Sequence, residues 1–278
     1  MKIGHDQLEC TPGDYERNIQ KVLSGLEKAD HEGLDIVSFP ESFLTGYYSD
    51  AEEAAQHSFT IDGPEIRDFL HRAASFNATY MVGFNEQRGG KLLNTVLVAA
   101  RGELLGTYSK AFPIHSYFTP GRDFPVFEQD GVKFGVVICA DGGYIEPTRI
   151  LALKGAQIIF APHYNYLRKE ALINHFQKVR SDHIARAVEN GVWFLRGNNV
   201  CTGLDEGLGY EGVGYGDSYL LDPQGEMVVR SQRHVENMIY ADIAVENQPP
   251  ITRRSIASGR ALGEVLMQTL NEYTTDTP

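Results

Sequence analysis

The chain is poor in basic residues: 25 Lys and Arg stand against 37 Asp and Glu, a formal net charge of −12. Nucleic acids and anionic membrane surfaces are polyanions that demand Lys/Arg patches, so both are disfavoured as partners. Long apolar runs are missing as well. None approaches the ~20 residues that cross a bilayer, and the start MKIGHDQLEC has no basic region followed by an apolar stretch. The expectation is a cytoplasmic protein. Cysteine is scarce: Cys10, Cys139 and Cys201 are widely spaced and odd in number, which fits reduced thiols better than a disulfide framework. Metal-ligand spacing is absent despite nine histidines, because no H-x3-H or C-x2-C pair occurs and His175 and His183 lie two helical turns apart. Phosphate-cradling glycine loops are also absent. These absences lead us to expect no metal and no cofactor.

What is present is an alternation of apolar strand-like runs with helical periodicity. Residues 2–8 read as a strand, followed by a helix that Asp14 caps and that places Ile19, Val22, Leu23, Leu26 and Ala29 on one face. A strand at 34–39, a helix at 63–76 and strands at 79–85, 93–100 and 103–109 follow, the last two joined by the hairpin link Arg101-Gly102. The second half repeats the theme with strand 132–139, helix 146–155, strand 156–161, a long helix over 169–190, strand 192–199 and strands at 216–222, 226–230 and 237–243. The Gly-rich stretch 203–216 reads as a flexible loop. Strands alternating with helices define an α/β protein with mixed sheets covered on both faces. With no linker between the residues singled out below, a single domain over 1–278 is expected.

Three reactive side chains sit at the ends of apolar runs: Glu41 after LDIVSFP, Lys110 after ELLGTYS and Cys139 after FGVVI. A carboxylate, an amine and a thiol so delivered can act as general base, oxyanion stabiliser and nucleophile in opening a C–N bond through a thioester. Cys139 is followed by Ala140-Asp141-Gly142-Gly143, a sharp turn whose glycines permit unusual backbone angles. A helix beginning there would aim its amides at the sulfur and favour thiolate. Glu41 is flanked by apolar Phe39, Pro40, Phe43 and Leu44, a setting suited to taking the thiol proton, protonating the departing amine and later activating water. His163, Tyr164 and Asn165, in APHYNY after the strand at 156–161, should share the rim of Cys139; with Tyr47 and Tyr144 they read either as pocket wall or as ordinary polar turns.

The words FPESFLTGY, TYSKAFP and VVICADGGYIEP, in that order, resemble the nitrilase superfamily of carbon–nitrogen hydrolases, and KIGHDQLECTPGDYERN, RILALKGAQIIFAP, RSDHIARAVENGVWFL and SYLLDPQGE extend the resemblance over nearly the whole chain. The resemblance implies a four-layer α–β–β–α sandwich of two mixed sheets covered by helices. It implies that the Lys110 ammonium and the Ala140 N–H together hold the oxyanion. It also implies homodimers or higher oligomers, with residues 246–278 as a helical tail or oligomerisation arm, against the plainer reading of a solvated tail. Two departures from the family pattern shape the expected substrate. No second glutamate follows the lysine, and His115 is expected in its place, hydrogen-bonded to Lys110 or to substrate. The arginines with which N-carbamoyl amino acid hydrolases grip a carboxylate are replaced by Gly142 and Gly143, and CADGGY is closer to the aliphatic amidases, so a small neutral amide is favoured over a nitrile. An acyltransferase, an N-carbamoyl hydrolase and a catalytically impaired binding relative are the alternatives.

Overall fold

A computed structural model describes residues 1–201, 203–245 and 260–275. The elements run β1 (Lys2–Gln7), α1 (Tyr15–Glu32), β2 (Ile36–Ser38), α2 (Ala51–Gln56), α3 (Pro64–Arg72), β3 (Thr79–Arg88), β4 (Lys91–Ala100), β5 (Glu103–Ser109), β6 (Phe127–Gln129) and β7 (Val132–Val136). A 3-10 turn over Cys139–Gly143 follows, then α4 (Ile145–Leu153), β8 (Ile158–Pro162), β9 (Tyr166–Leu167), α5 (Leu172–Asn190), β10 (Trp193–Gly197), β11 (Val200–Cys201), β12 (Val213–Tyr215), β13 (Tyr219–Leu221), β14 (Met227–Arg230), β15 (Asn237–Asp242) and α6 (Arg260–Thr275). Asp14 caps α1 by accepting from Arg17 N, and left-handed Gly33 ends it, the paired start and stop signals of a helix.

Two six-stranded sheets form, in the orders β15-β1-β2-β3-β4-β5 and β14-β13-β10-β8-β7-β6. Each is mixed: β1, β2 and β3 run parallel, as do β7, β8 and β10, while β15, β4 and β5 in the first sheet and β13, β14 and β6 in the second pair antiparallel. The sheets face each other across Ile36, Met81, Val96 and Val98 from the first and Phe134, Val136, Ile158 and Phe160 from the second. Outside the first sheet, Ile19, Val22 and Leu26 of α1 and Ile66 and Phe69 of α3 pack on Val37, Tyr80 and Val82. Outside the second, Leu151 and Ala187 of α4 and α5 pack on Ile159 and Phe194. The result is the expected four-layer sandwich, because continuous apolar strands buried on both faces need helices beyond them.

Three local differences from the sequence reading concern the site. The nucleophile strand stops at Val136, so Cys139 lies in the 3-10 turn rather than at a strand end. The Gly-rich stretch is strapped down: β9, β11 and β12 form a small third sheet, and the Tyr166 hydroxyl accepts from Asp205 N at 3.1 Å and Gly212 N at 2.8 Å while donating to Gly203 O at 2.7 Å. Most of the segment ENQPPITRRSIASGR, expected as an arm, lies outside the described residues, as does most of its link to α6. Among the described residues no helix is long and apolar enough to cross a membrane.

Candidate active site

Glu41 sits in the buried turn after β2, docked on β3 by Phe39 N to Met81 O at 3.0 Å and Leu44 N to Gly83 O at 2.9 Å. Gly83 is required there: a Cβ on it would lie 2.3 Å from Ser42 N and 2.9 Å from the Glu41 carbonyl carbon. The carboxylate is fully buried yet well supplied with donors. Oε1 accepts from Lys110 Nζ at 2.6 Å and from Asn94 Nδ2 at 2.7 Å, and Oε2 accepts from Tyr164 N at 2.8 Å. Lys110 is itself buried, where desolvation works against its charge; the adjacent Glu41 carboxylate more than offsets this and holds its pKa above the ordinary lysine value.

Cys139 occupies the left-handed backbone region at φ 48°, uncommon for a residue with a side chain and a form of local strain that clusters at functional sites. Burial first, and then the Glu41 carboxylate, push its thiol up to about 12, with Lys110 pulling the other way. This corrects the expectation of a resting thiolate. The helical turn is a five-residue 3-10 segment that contains Cys139 itself, and burial beside a carboxylate outweighs its few amides. That balance favours the protonated sulfur, and Glu41 is placed to take its proton. The glycines act differently from expectation too: positive φ falls on Cys139 and on neither Gly142 nor Gly143. Gly142 serves close packing, since a Cβ there would meet His183 Nε2 at 2.8 Å.

Sequence reasoning passed over three supporting residues. Asn94, a polar residue inside the apolar run of β4, reaches Glu41 through its side chain, and its carbonyl accepts from Lys110 N at 2.8 Å. Asp141 is a buried knot that accepts from Tyr108 Oη at 2.7 Å, Phe112 N at 2.8 Å and Ile138 N at 3.0 Å, tying the lysine segment to the nucleophile turn. Arg196, fully buried on β10, donates to Asn165 Oδ1 at 2.6 Å. For Asn94 and Arg196 the available signal was a polar or charged residue interrupting an apolar strand, which is usually buried with hydrogen-bond partners.

The APHYNY segment is brought against the three reactive groups. Tyr164 N holds Glu41, His163 O accepts from Glu41 N at 3.3 Å, and Asn165 Nδ2 lies 3.7 Å from Cys139 Sγ. The His163 ring turns elsewhere, with Nδ1 2.7 Å from Ala161 O and its edge toward His183. Tyr47 is buried and stacked on Tyr164 at 5.4 Å between ring centroids. Ala140 follows the nucleophile in the turn's first residues, where amides lack intrahelical partners. Tyr144 is not brought to the sulfur; it is 47% exposed and stacks on Phe112 at 3.9 Å.

His115 does not make the expected hydrogen bond to Lys110. Its half-buried ring stacks on Tyr117 at 5.2 Å and leans on Tyr47 at 5.6 Å, while Lys110 Nζ donates to Glu41. No hydrogen bond joins the His115 ring to Lys110 among the described residues. The loop after Lys110 carries it past the ammonium onto the aromatic wall. Burial, and next the Lys110 charge, lower its pKa below the ordinary histidine value. No group of three or more His, Cys, Asp or Glu side chains suited to a metal ion occurs among the described residues.

A buried thiol, carboxylate and ammonium brought together between two helix-covered sheets define a hydrolase-type site, and residues 2–248 match the family model described as carbon-nitrogen hydrolase. The chain belongs to that family, the nitrilase superfamily. It is 29% identical to a nitrilase of Pyrococcus abyssi over 87% of this chain and 89% of that protein, and 29% identical to an (R)-stereoselective amidase of a Pseudomonas species over 87% of this chain and 85% of that protein. An amidase of the nitrilase superfamily from Nesterenkonia AN1 shares the fold, with a TM-score of 0.73 at 20% identity, covering 94% of this chain and 96% of that one.

Proposed function

We propose that the protein is an amidase that hydrolyses a small neutral carboxamide through a thioester on Cys139. The observation that carries this reading is the buried Glu41 carboxylate beside the Cys139 thiol, paired with Lys110 at 2.6 Å. Glu41 takes the thiol proton as Sγ attacks the amide carbon, and the carbonyl electron pair moves onto oxygen. Lys110 and the Ala140 N–H stabilise that oxyanion. As the C–N bond breaks, Glu41 returns the proton to the departing nitrogen, and ammonia or an amine leaves. Water then adds to the thioester with its proton passing to Glu41, the C–S bond breaks, the sulfur recovers the proton, and a carboxylic acid departs.

A neutral substrate is favoured because Ala140, Gly142 and Gly143 offer no guanidinium to a carboxylate, and the neighbouring wall is built of Tyr47, Tyr164, Tyr117 and His115. The test is intact-protein mass spectrometry of a Glu41→Gln variant exposed to a panel of amides, nitriles and N-carbamoyl amino acids. A mass increment on Cys139 equal to the acyl half of a neutral amide is expected; an increment only with N-carbamoyl acids would overturn the substrate class. Products analysed with and without added amine separate hydrolysis from acyl transfer. The proposal includes one catalytic domain whose 246–278 tail joins copies: α6 presents Val265, Leu266 and Met267 to solvent, and sedimentation with and without the tail measures its part.

A further inference from the structure

We propose that Arg196 is a positioning residue for the nucleophile, locking the Asn165 side chain so that its NH2 faces Cys139 and supports the sulfur as it gains negative charge. The proposal rests on the reading of Cys139 as nucleophile.

A buried guanidinium ordinarily sits against a carboxylate. Arg196, 0% exposed, has none within ion-pair distance among the described residues. The nearby Asp217 carboxylate is taken by Arg180, Arg230 and Arg233; one amino group of Arg196 donates to the main-chain oxygens of Gly216 at 3.1 Å and Asp217 at 2.6 Å, and its guanidinium lies over the Tyr215 and Tyr219 rings at 5.4 and 5.6 Å. Its other amino group donates to Asn165 Oδ1 at 2.6 Å and Tyr215 Oη at 2.8 Å. So costly a burial calls for a purpose, and the contact with Asn165 supplies one.

Guanidinium carries donors only, so the amide atom facing Arg196 must be the oxygen. Tyr215 Oη, already accepting from Arg196, turns its proton toward the same oxygen at 3.3 Å. The NH2 of Asn165 is thereby left for Cys139 Sγ, 3.7 Å away. Rotation of the residue is blocked at its backbone, where Asn165 N donates to Asn198 Oδ1 at 3.2 Å and Asn199 Oδ1 at 2.7 Å. Removal of the charge would free the amide to turn its oxygen toward sulfur, replacing attraction with repulsion.

The rate of Cys139 alkylation by iodoacetamide between pH 8 and 9.5, followed by peptide mass with Cys201 as internal reference, requires no substrate. It therefore tests the proposal separately from the amidase reading, which Cys139→Ala tests by turnover. Arg196→Met, Asn165→Leu and the double variant are compared with wild type. Each single change should slow Cys139 alkylation by roughly 10–100-fold, the worth of a hydrogen bond to a charged group, with Cys201 unaffected. The double variant should be no slower than either single, because both remove the same donor. Wild-type alkylation in Asn165→Leu, or losses that multiply in the double variant, would overturn the proposal. If Arg196→Met does not fold, Asn165→Leu, which keeps the guanidinium, decides alone.

Discussion

Glu41 and Asp6, two of the carboxyl groups buried in the first-sheet half of the molecule, are provisioned in opposite ways. Glu41 has a lysine, an amide side chain and a main-chain N–H around its oxygens. Asp6, on the helix-facing side of β1 against Gly25 of α1, is 1% exposed and neither of its oxygens meets a protein donor among the described residues. Burial lifts Asp6 to about 6, with Lys28 pulling down and Glu236 pushing up. Burial alone does not make a site: the difference is in the partners. At Glu41 the desolvation is offset by charge and hydrogen bonds that also serve chemistry, whereas at Asp6 it is a standing cost to stability.

The largest expected effect is on turnover. Cys139→Ala should fall below about a hundredth of wild-type rate with an unchanged melting temperature, since alanine fits the space and no other nucleophile is at hand; retained turnover would remove Cys139 from its role. Lys110→Met should lose about 2.7–4 kcal/mol of transition-state stabilisation in kcat. It should also lose on the order of 3–5 kcal/mol in urea unfolding, because Glu41 is left buried without its cation. Unchanged folding stability would show that the pair is not coupled as drawn.

Asp6 supplies the contrast. Its folded pKa is raised from 3.8 to about 6, so its contribution is most favourable below pH ~4 and is lost as pH rises through ~6. Asp6→Asn, which cannot ionise, should therefore stabilise the fold by on the order of 1–3 kcal/mol at pH 7.5, a gain that fades toward pH ~4. Melting curves at the two pH values check the sign. The smallest effect is expected at His115: with its ring on the aromatic wall, His115→Gln should cost about 0.5–1.5 kcal/mol in turnover. Any acid limb that it carries should lie below pH ~6.5, since its pKa is lowered. A loss as large as that of Lys110→Met would return His115 to the ammonium.

Mixed sheets covered by helices and the candidates Glu41, Lys110 and Cys139 were legible because strand alternation and reactive side chains beside apolar runs are local signals, whereas the four-layer sandwich followed from the resemblance to the nitrilase superfamily. Asn94, Asp141 and Arg196 were not, because each gains meaning from a partner distant in sequence: Asn94 from Glu41, Asp141 from Tyr108, Arg196 from Asn165. The burial that works against a thiolate at Cys139 was not legible, because residue order reveals a helical turn but not how deeply its first residue is buried. The expected bond from Lys110 to His115 fails for a related reason, since proximity in sequence does not fix which way a loop side chain turns.

The Asp141 knot has a consequence for how this chain can be altered. By holding Tyr108, Phe112 and Ile138 to one carboxylate, it isolates the lysine and the nucleophile from whatever is spliced between them. Of the stretch between them, Thr119 N donates to Leu92 O at 2.7 Å and Gly121 N to Lys110 O at 2.8 Å, so length is best added at the exposed Ile114: a graft there should reshape the mouth and change which amides enter while the reacting groups keep their spacing.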